Sequence, residues 1–311
     1  MTKPDEIMRV GIIGTGRIAE KAAITLRGLT EVEAYAVGSR HQDTADAFAK
    51  KWDIPKAYGS YAALIADPDI DLIYIGTPHS HHFDVTREAI LSGKPCLVEK
   101  AFMANSRQTQ EILDLAHQQK VFVAEAIWTR YQPVVTIIRN LISSGRIGEP
   151  RMVTATLGYS MGNKERIMRP DLCGGALLDL GVYALNFVRM FFPADILSID
   201  GHCVKSDTGM DLTNTMTLIL KDGMLCNLQS SASCVGDNIG VIAGTEGNLI
   251  IDNINNPQQI TGYEYQFLAC RQALIDGRLE PVEMPHKETL YIMQLMDSLR
   301  QKWGVRYPMD I

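Results

Sequence analysis

Among the 311 residues there is no Cys-x-x-Cys pair, no run of Lys and Arg, no low-complexity tract and no internal repeat. Each absence excludes something. The six cysteines, at 96, 173, 203, 226, 234 and 270, stand far apart. That spacing argues against a zinc site or a disulfide framework and for reduced thiols. A formal net charge of -6 without a basic stretch argues against nucleic acid or an anionic membrane surface as the main partner. The opening "MTKPDEIMRVGIIG" has no signal-peptide core. The most apolar later segment, "GGALLDLGVYALNFVRMFF", is interrupted by Asp179, Asn186 and Arg189 and makes a poor membrane span. A cytoplasmic location is the expectation, and the length predicts two domains.

What is present begins with an alternation. Short apolar runs, "RVGIIG" (9–14), "VEAYAVGS" (32–39), "KAYG" (56–59), "DLIYIGT" (71–77), "PCLVE" (95–99) and "VFVAE" (121–125), are separated by amphipathic segments such as "RIAEKAAITLRG" and "SRQTQEILDLAHQQ". Strand and helix in turn predict a doubly wound, Rossmann-type parallel sheet over residues 1–124. Gly28 and Gly93 fall where helix C-caps belong. After Trp128 the pattern changes. A helix opened by Pro133 and closed by Gly145 precedes "RMVTATLGYS", "LSIDGHCVKSD", "TNTMTLILKDGMLCNLQSSAS" and "GVIAGTEGNLIIDN". Their period of two and the turns "KDG" and "TEG" predict a large, mainly antiparallel open sheet. Helices are expected near 175–190 and 287–303. Residues 125–311 are therefore read as a second α/β domain.

The first strand runs into Gly14-x-Gly16-x-x-Ala19 and a helix. Gly14 permits the tight turn, Gly16 lets backbone approach a pyrophosphate, and Ala19 lets the helix pack closely. The loop Gly14, Thr15, Gly16, Arg17 and Ile18 is thus a dinucleotide-binding candidate. At the end of the second strand, where NAD enzymes carry an acid, stand Ser39 and Arg40. A hydroxyl and a guanidinium suit a 2′-phosphate, so NADP is expected over NAD.

At the same edge lies "IGTPHSHHF" (75–83). Thr77 and Pro78 are expected to shape the turn beneath the cofactor, and His82 to begin the next helix. No second ligand cluster accompanies His79, His81 and His82, so no metal is expected. Glu99 and Lys100 close the fifth strand. They mark either a simple exit to the surface or the place where cofactor and substrate meet, since ligands bind beyond the carboxyl ends of parallel strands. A lysine beside a cationic nicotinamide would have its pKa lowered. Further on, Asp179 and Tyr183 are spaced i, i+4 and would share a helix face, after a Gly-Gly pair that allows close approach.

"GIIGTGRIA", "TPHSHH", "VEKAF", "EAIWTRYQP", "GGALLDLGVYAL" and "DSLRQKWGVRYP", in that order over essentially the whole chain, resemble the Gfo/Idh/MocA family of glucose-fructose oxidoreductases and inositol dehydrogenases. The likeness is greatest to its dimeric dihydrodiol dehydrogenase branch. The resemblance implies a Rossmann domain followed by an α/β domain whose open sheet carries dimer contacts. It makes Lys100 the lysine of the family's Glu-Lys-Pro motif, and Asp179 and Tyr183 its Asp-x-x-x-His motif with Tyr in the His position. Trp128 and Arg130 match a "WTR" that lines the cleft, so the expected cofactor contacts extend to Thr77, Pro78, His82, Glu99, Lys100, Trp128 and Arg130.

The implied activity is hydride transfer between NADP and a secondary alcohol or carbonyl of a sugar-like or cyclic diol substrate. Tyr183 would carry the proton, Lys100 would lower its pKa, and Asp179 would orient the pair; the competing assignment makes Lys100 itself the acid-base group. A catalytically silent, dinucleotide-responsive regulator is the alternative within the same family. Lys164, Arg166 and Arg169 in "MGNKERIMRPDLC" (161–173) face either a polar substrate or only solvent. A homodimer or higher homo-oligomer is expected, because an exposed apolar sheet face favours association. One departure stands out: Ala101 occupies the place of the motif's proline. A non-proline cis peptide costs about 2.5–4 kcal/mol, so the Lys100–Ala101 bond is expected to be trans.

Overall fold

The computed structural model describes residues 6–161, 164–256 and 262–310. Its chain contacts form two compact units, Met1–Trp128 with Tyr263–Leu290, and Thr129–Gly262 with Tyr291–Ile311.

In the first unit, β1 (Met8–Ile13), α1 (Arg17–Leu26), β2 (Val32–Gly38), α2 (Gln42–Trp52), β3 (Lys56–Tyr58), α3 (Tyr61–Ile65), β4 (Leu72–Ile75), α4 (His79–Leu91), β5 (Cys96–Glu99), α5 (Ser106–Gln119) and β6 (Val123–Ala126) alternate along the chain. The strands form one parallel sheet in the order β3-β2-β1-β4-β5-β6, the doubly wound Rossmann arrangement. Every residue of β4 and β5 is buried, because parallel strands with helices on both faces have no wet side. Alternate residues feed opposite layers: Leu72 and Tyr74 enter one core cluster, Ile73 and Ile75 the other. Asn105 caps α5 by accepting from the Gln108 N–H at 2.9 Å.

The second unit opens with α6 (Pro133–Ser143), β7 (Pro150–Gly158) and a short α7 (Glu165–Met168). A π turn (Leu177–Gly181) runs directly into α8 (Val182–Phe191), followed by β8 (Ile196–Lys205), β9 (Asp211–Leu220), β10 (Leu225–Ser231), β11 (Gly240–Gly244) and β12 (Asn248–Ile251). The sheet order is β12-β11-β7-β10-β9-β8. Only β7 and β10 pair parallel; the other neighbours are antiparallel. Along β9 the pattern is a strict alternation, with Met216, Leu218 and Leu220 buried and Thr215, Thr217 and Ile219 exposed. α8 covers β7 and β10 from the buried side. Residues Pro170–Phe191 are apolar and long enough, by length and composition, to span a bilayer, yet 89% of that window is buried in the fold. It is the helical core of this unit.

After Gly262 the chain returns to the first unit as α9 (Glu264–Ile275), whose Phe267, Cys270 and Ala273 complete the cluster under β1, β4 and α1. α10 (His286–Trp303) follows. A division into consecutive blocks at 124/125 therefore differs from the structure. The change of periodicity near 125 marks the end of strand alternation, whereas the cover for the sheet comes from a distant segment that local pattern does not announce. Two smaller expectations are also corrected. Gly93 has the left-handed φ of a C-cap (+72°), but Gly28 is not among the positive-φ glycines. His82 does not begin its helix, since α4 starts three residues earlier at His79, after Pro78 as N-cap.

Candidate functional site

The glycine loop leaves β1 with Gly14 at φ +108°, a conformation that L side chains rarely adopt, and a Cβ there would come within 2.8 Å of the Gly76 carbonyl oxygen. A Cβ at Gly16 would meet nothing within 4 Å, and α1 begins at Gly16 without a side-chain cap. Its first N–H groups are thus left for an anion. Ile18 packs under Gly76, where a Cβ would come within 3.2 Å of its side chain. Thr15 is half-buried and Arg17 exposed. At the end of β2, Ser39 is buried with its N–H on the Tyr58 carbonyl (3.0 Å), and Arg40 is exposed. The Thr77 hydroxyl, at the end of β4, is buried and has no hydrogen-bond partner among the described residues. An open loop, an uncapped helix start and an unused buried hydroxyl at one sheet edge fit a dinucleotide.

The chain just beyond β5 is held by imidazoles. His82, fully buried, places Nε2 2.9 Å from the Thr77 carbonyl and Nδ1 3.1 Å from both the Ala101 and Phe102 carbonyls. His79 Nε2 lies 3.1 Å from the Lys100 carbonyl. Burial lowers the His82 pKa. His81 instead meets Ser80 Oγ through Nδ1 at 3.0 Å, and the described residues contain no group of three or more His, Cys, Asp or Glu placed to hold a metal. Between these contacts the Lys100–Ala101 peptide is cis, which corrects the expectation of trans. That expectation weighed the intrinsic preference of the peptide alone; here carbonyls on both sides of the bond are fixed by neighbouring side chains.

Glu99 turns inward. Its Oε1 accepts from the Tyr74 hydroxyl at 2.6 Å and its Oε2 from the Lys100 backbone N–H at 3.2 Å. Burial raises its pKa, opposed by the bond from Tyr74 and the charges of Lys100 and Lys21. Lys21, four residues after Arg17 on α1, stands 3.9 Å from the Tyr263 ring centroid and 4.9 Å from that of Trp128. Those two rings stack at 4.5 Å. Trp128 thus closes an aromatic box in the first unit. Lys21 and Tyr263 were not singled out from sequence, although the i, i+4 step from Arg17 was a usable signal.

In the second unit Asp179 lies on the π turn and Tyr183 in the first turn of α8, both buried. Arg166 grips Asp179 with two bonds of 2.9 Å (Nη1–Oδ1, Nη2–Oδ2), the bidentate geometry that favours Arg over Lys. Burial opposes the Arg166 charge, but Asp179 and, less, Tyr183 outweigh it and raise its pKa. Arg166 is therefore committed to the Asp179 carboxylate rather than to solvent alone, while Arg169 pairs with Glu165 and Asp171. The neighbouring Gly162 and Asn163 lie outside the described residues. The Gly-Gly pair has the anticipated use: a Cβ on Gly174 would collide with the Ile167 carbonyl and one on Gly175 with Asp211. Arg130 is buried and donates through Nε to Asn186 Oδ1 at 2.6 Å.

Comparison with known proteins agrees with this geometry. Residues 8–126 match the family model described as an oxidoreductase family with an NAD-binding Rossmann fold, and residues 135–250 match the GFO/IDH/MocA C-terminal domain. The chain belongs to the GFO/IDH/MocA oxidoreductase family. Among its relatives is a trans-1,2-dihydrobenzene-1,2-diol dehydrogenase of Xenopus laevis, 33% identical over 96% of this chain and 98% of the relative. The enzyme of that name from Danio rerio is 30% identical over 97% and 99%. Similar solved folds include KijD10, a 3-ketoreductase from Actinomadura kijaniata in complex with NADP and TDP-benzene (TM-score 0.86, 23% identity, 97% of this chain and 99% of that one). Another is an aldose-aldose oxidoreductase from Caulobacter crescentus (TM-score 0.88, 19% identity, 96% and 98%). The chain is an α/β oxidoreductase acting on CH–OH groups with a nicotinamide dinucleotide.

Proposed function

We propose that this oxidoreductase uses NADP in preference to NAD and interconverts a secondary alcohol and its carbonyl in a cyclic diol or sugar-like substrate. The observation that carries the cofactor choice is the exposed guanidinium of Arg40 beside Ser39 at the end of β2, where an acid would repel a 2′-phosphate. Gly14 to Ile18 would hold the pyrophosphate, Ser39 and Arg40 the 2′-phosphate, and Thr77, Pro78 and Lys100 the nicotinamide end. His82 and Glu99 are assigned to holding the backbone of that end, and Trp128 and Arg130 to its surroundings. The bound cofactor supplies the hydride donor or acceptor.

Tyr183 is assigned the proton, giving it to or taking it from the substrate oxygen; acid-base help of this kind is worth about 10²–10⁴-fold. Arg166 supports developing negative charge on the Tyr183 oxygen, and Asp179 keeps Arg166 in place. Lys100 is the remaining cationic member of the catalytic set. With the Asp179 carboxylate engaged by Arg166, Tyr183 is favoured over Lys100 as the proton carrier. The exposed apolar residues of the second sheet, Met152, Ile219, Leu225 and Ile250, support a homodimer closed through that face.

Fluorescence titration with NADPH and with NADH, followed by turnover of trans-1,2-dihydrobenzene-1,2-diol with NADP, tests the reading. NADPH is expected to bind well ahead of NADH, and Tyr183→Phe to lose about 10²–10⁴ in kcat with NADPH affinity unchanged. Preference for NADH overturns the Arg40 argument. Near-normal turnover by Tyr183→Phe transfers the proton to Lys100, and binding without turnover of diols or sugars removes the catalytic reading.

A further inference from the structure

Asp211, the first residue of β9, is fully buried and lies outside the residues assigned above. Its Oδ2 accepts from the Leu177 backbone N–H at 2.7 Å and from Asn214 Nδ2 at 2.8 Å. Asn214 Oδ1 in turn accepts from Ser230 Oγ on β10 at 2.8 Å. Leu177 opens the π turn and stands two residues before Asp179. The start of that turn is therefore tied through one carboxyl group to two strands of the sheet.

The approach is close because Gly175, at φ +102°, has no Cβ to strike Asp211 Oδ1. The Gly175 N–H bonds to the Ile167 carbonyl at 2.9 Å, and the residue before Ile167 is the Arg166 that grips Asp179. One short stretch of backbone thus fixes both the carboxylate and its guanidinium partner.

We propose that Asp211 is a positioning residue for the reaction, holding the head of the helical segment that carries Asp179 and Tyr183 through the Leu177 N–H. The proposal rests on the roles assigned above to Asp179 and Tyr183. Both donors reach Oδ2, and Oδ1 has no partner among the described residues, an arrangement suited to a proton on Oδ1. Burial pushes the carboxyl up to about 7, against the bonds from Asn214 and Leu177 and the charge of Arg300. The groups facing it are Arg300 on α10, Tyr307 beyond that helix and Cys203 on β8. Loss of the proton as pH rises through about 7 converts the Leu177 bond to a charge-assisted one, which is the stronger kind. That gain is smaller than the cost of keeping the ionised carboxyl buried. The stability contributed by the retained proton is complete below the unfolded carboxyl value and is lost as pH rises through about 7, and the hold on the π turn loosens.

Hydrogen exchange and steady-state kinetics on the full chain, with NADP and trans-1,2-dihydrobenzene-1,2-diol as probes, decide it. In the wild type, amide protection across 177–183, corrected for intrinsic exchange, is expected to fall through about pH 7, and kcat to inflect there. Asp211→Asn, which keeps the shape and an acceptor, should retain kcat within about threefold of the wild type at pH 6 and lose both inflections. Asp211→Ala should lower kcat by about 10–100-fold, as small misplacements do, with KM for NADP unchanged. Wild-type kinetics and unchanged exchange in Asp211→Asn at every pH would overturn the proposal, whether or not the alanine variant folds. A wild type that turns over no diol sinks the functional reading instead, and the exchange data then judge Asp211 by themselves.

Discussion

The two six-stranded sheets hide their side chains by different rules. In the parallel sheet β4 and β5 are buried at every position, and helices occupy both faces. In the mixed sheet β9 and β10 alternate, leaving Ile219 and Leu225 at the surface. The difference decides where reactive groups can stand. In β5 the charges fall where the strand ends, at Glu99 and Lys100, whereas β6 keeps a buried carboxyl, Glu125, within the strand. A sheet covered on one side can hand its specific groups to the element lying on that side, here the segment with Asp179 and Tyr183.

Substitutions can break this contrast. The largest effect is expected inside the parallel sheet, where Leu72→Ala removes a fully buried side chain and should cost about 2–5 kcal/mol, read from urea unfolding. A midpoint equal to that of the wild type would mean the layer is far less tightly packed than its burial implies.

The next effect is at the strand ends. Tyr74→Phe deletes the hydroxyl on the buried Glu99 carboxyl and should cost about 1–3 kcal/mol. Its pH dependence has a definite sign. Burial raises the Glu99 pKa in the folded chain, and the Tyr74 hydroxyl holds that rise in check. The stability contributed by the retained proton is complete below the unfolded pKa and is lost as pH rises through the folded one. Without Tyr74 the folded value climbs, so the decline should extend to higher pH. Urea midpoints measured from about pH 5 to about pH 8 would show it, and identical pH profiles for the two proteins would contradict the assignment.

The smallest effect belongs to the open face. Ile219→Thr should change the stability of the single chain by no more than about 0.5 kcal/mol while weakening self-association in sedimentation. Unaltered association would remove this face from the proposed dimer.

The same contrast governs how much could be read from residues alone. The six parallel strands announce themselves as apolar runs between amphipathic segments, and the later strands by alternation, because both patterns repeat within a few residues. Gly14, Gly16, Asp179 and Tyr183 were legible for the same reason: their spacing is local. What escaped is non-local. The partner of Asp179 is thirteen positions away at Arg166, the cover of the first sheet comes from α9, and the geometry of the Lys100–Ala101 peptide accompanies imidazoles contributed by α4. Lys21 was missed although it lies one helical turn from the glycine loop, since its aromatic partners are Trp128 and Tyr263.

The return of α9 also orders events in time. The chain passes from one unit to the other at 128/129, 262/263 and 290/291. During synthesis the first unit has all six of its strands when Trp128 emerges, but Phe267, Cys270 and Ala273, which pack against Val10, Ile12 and Tyr74, are still to be made. At ordinary rates of translation that gap is on the order of 10–30 s. Throughout it one face of the parallel sheet lacks its last helix, while the mixed sheet is already being completed. The unit that starts first is completed only at Leu290, just before the last segment of the other, Tyr291–Ile311, is made, and a fragment ending at Trp128 would carry a permanently uncovered apolar surface.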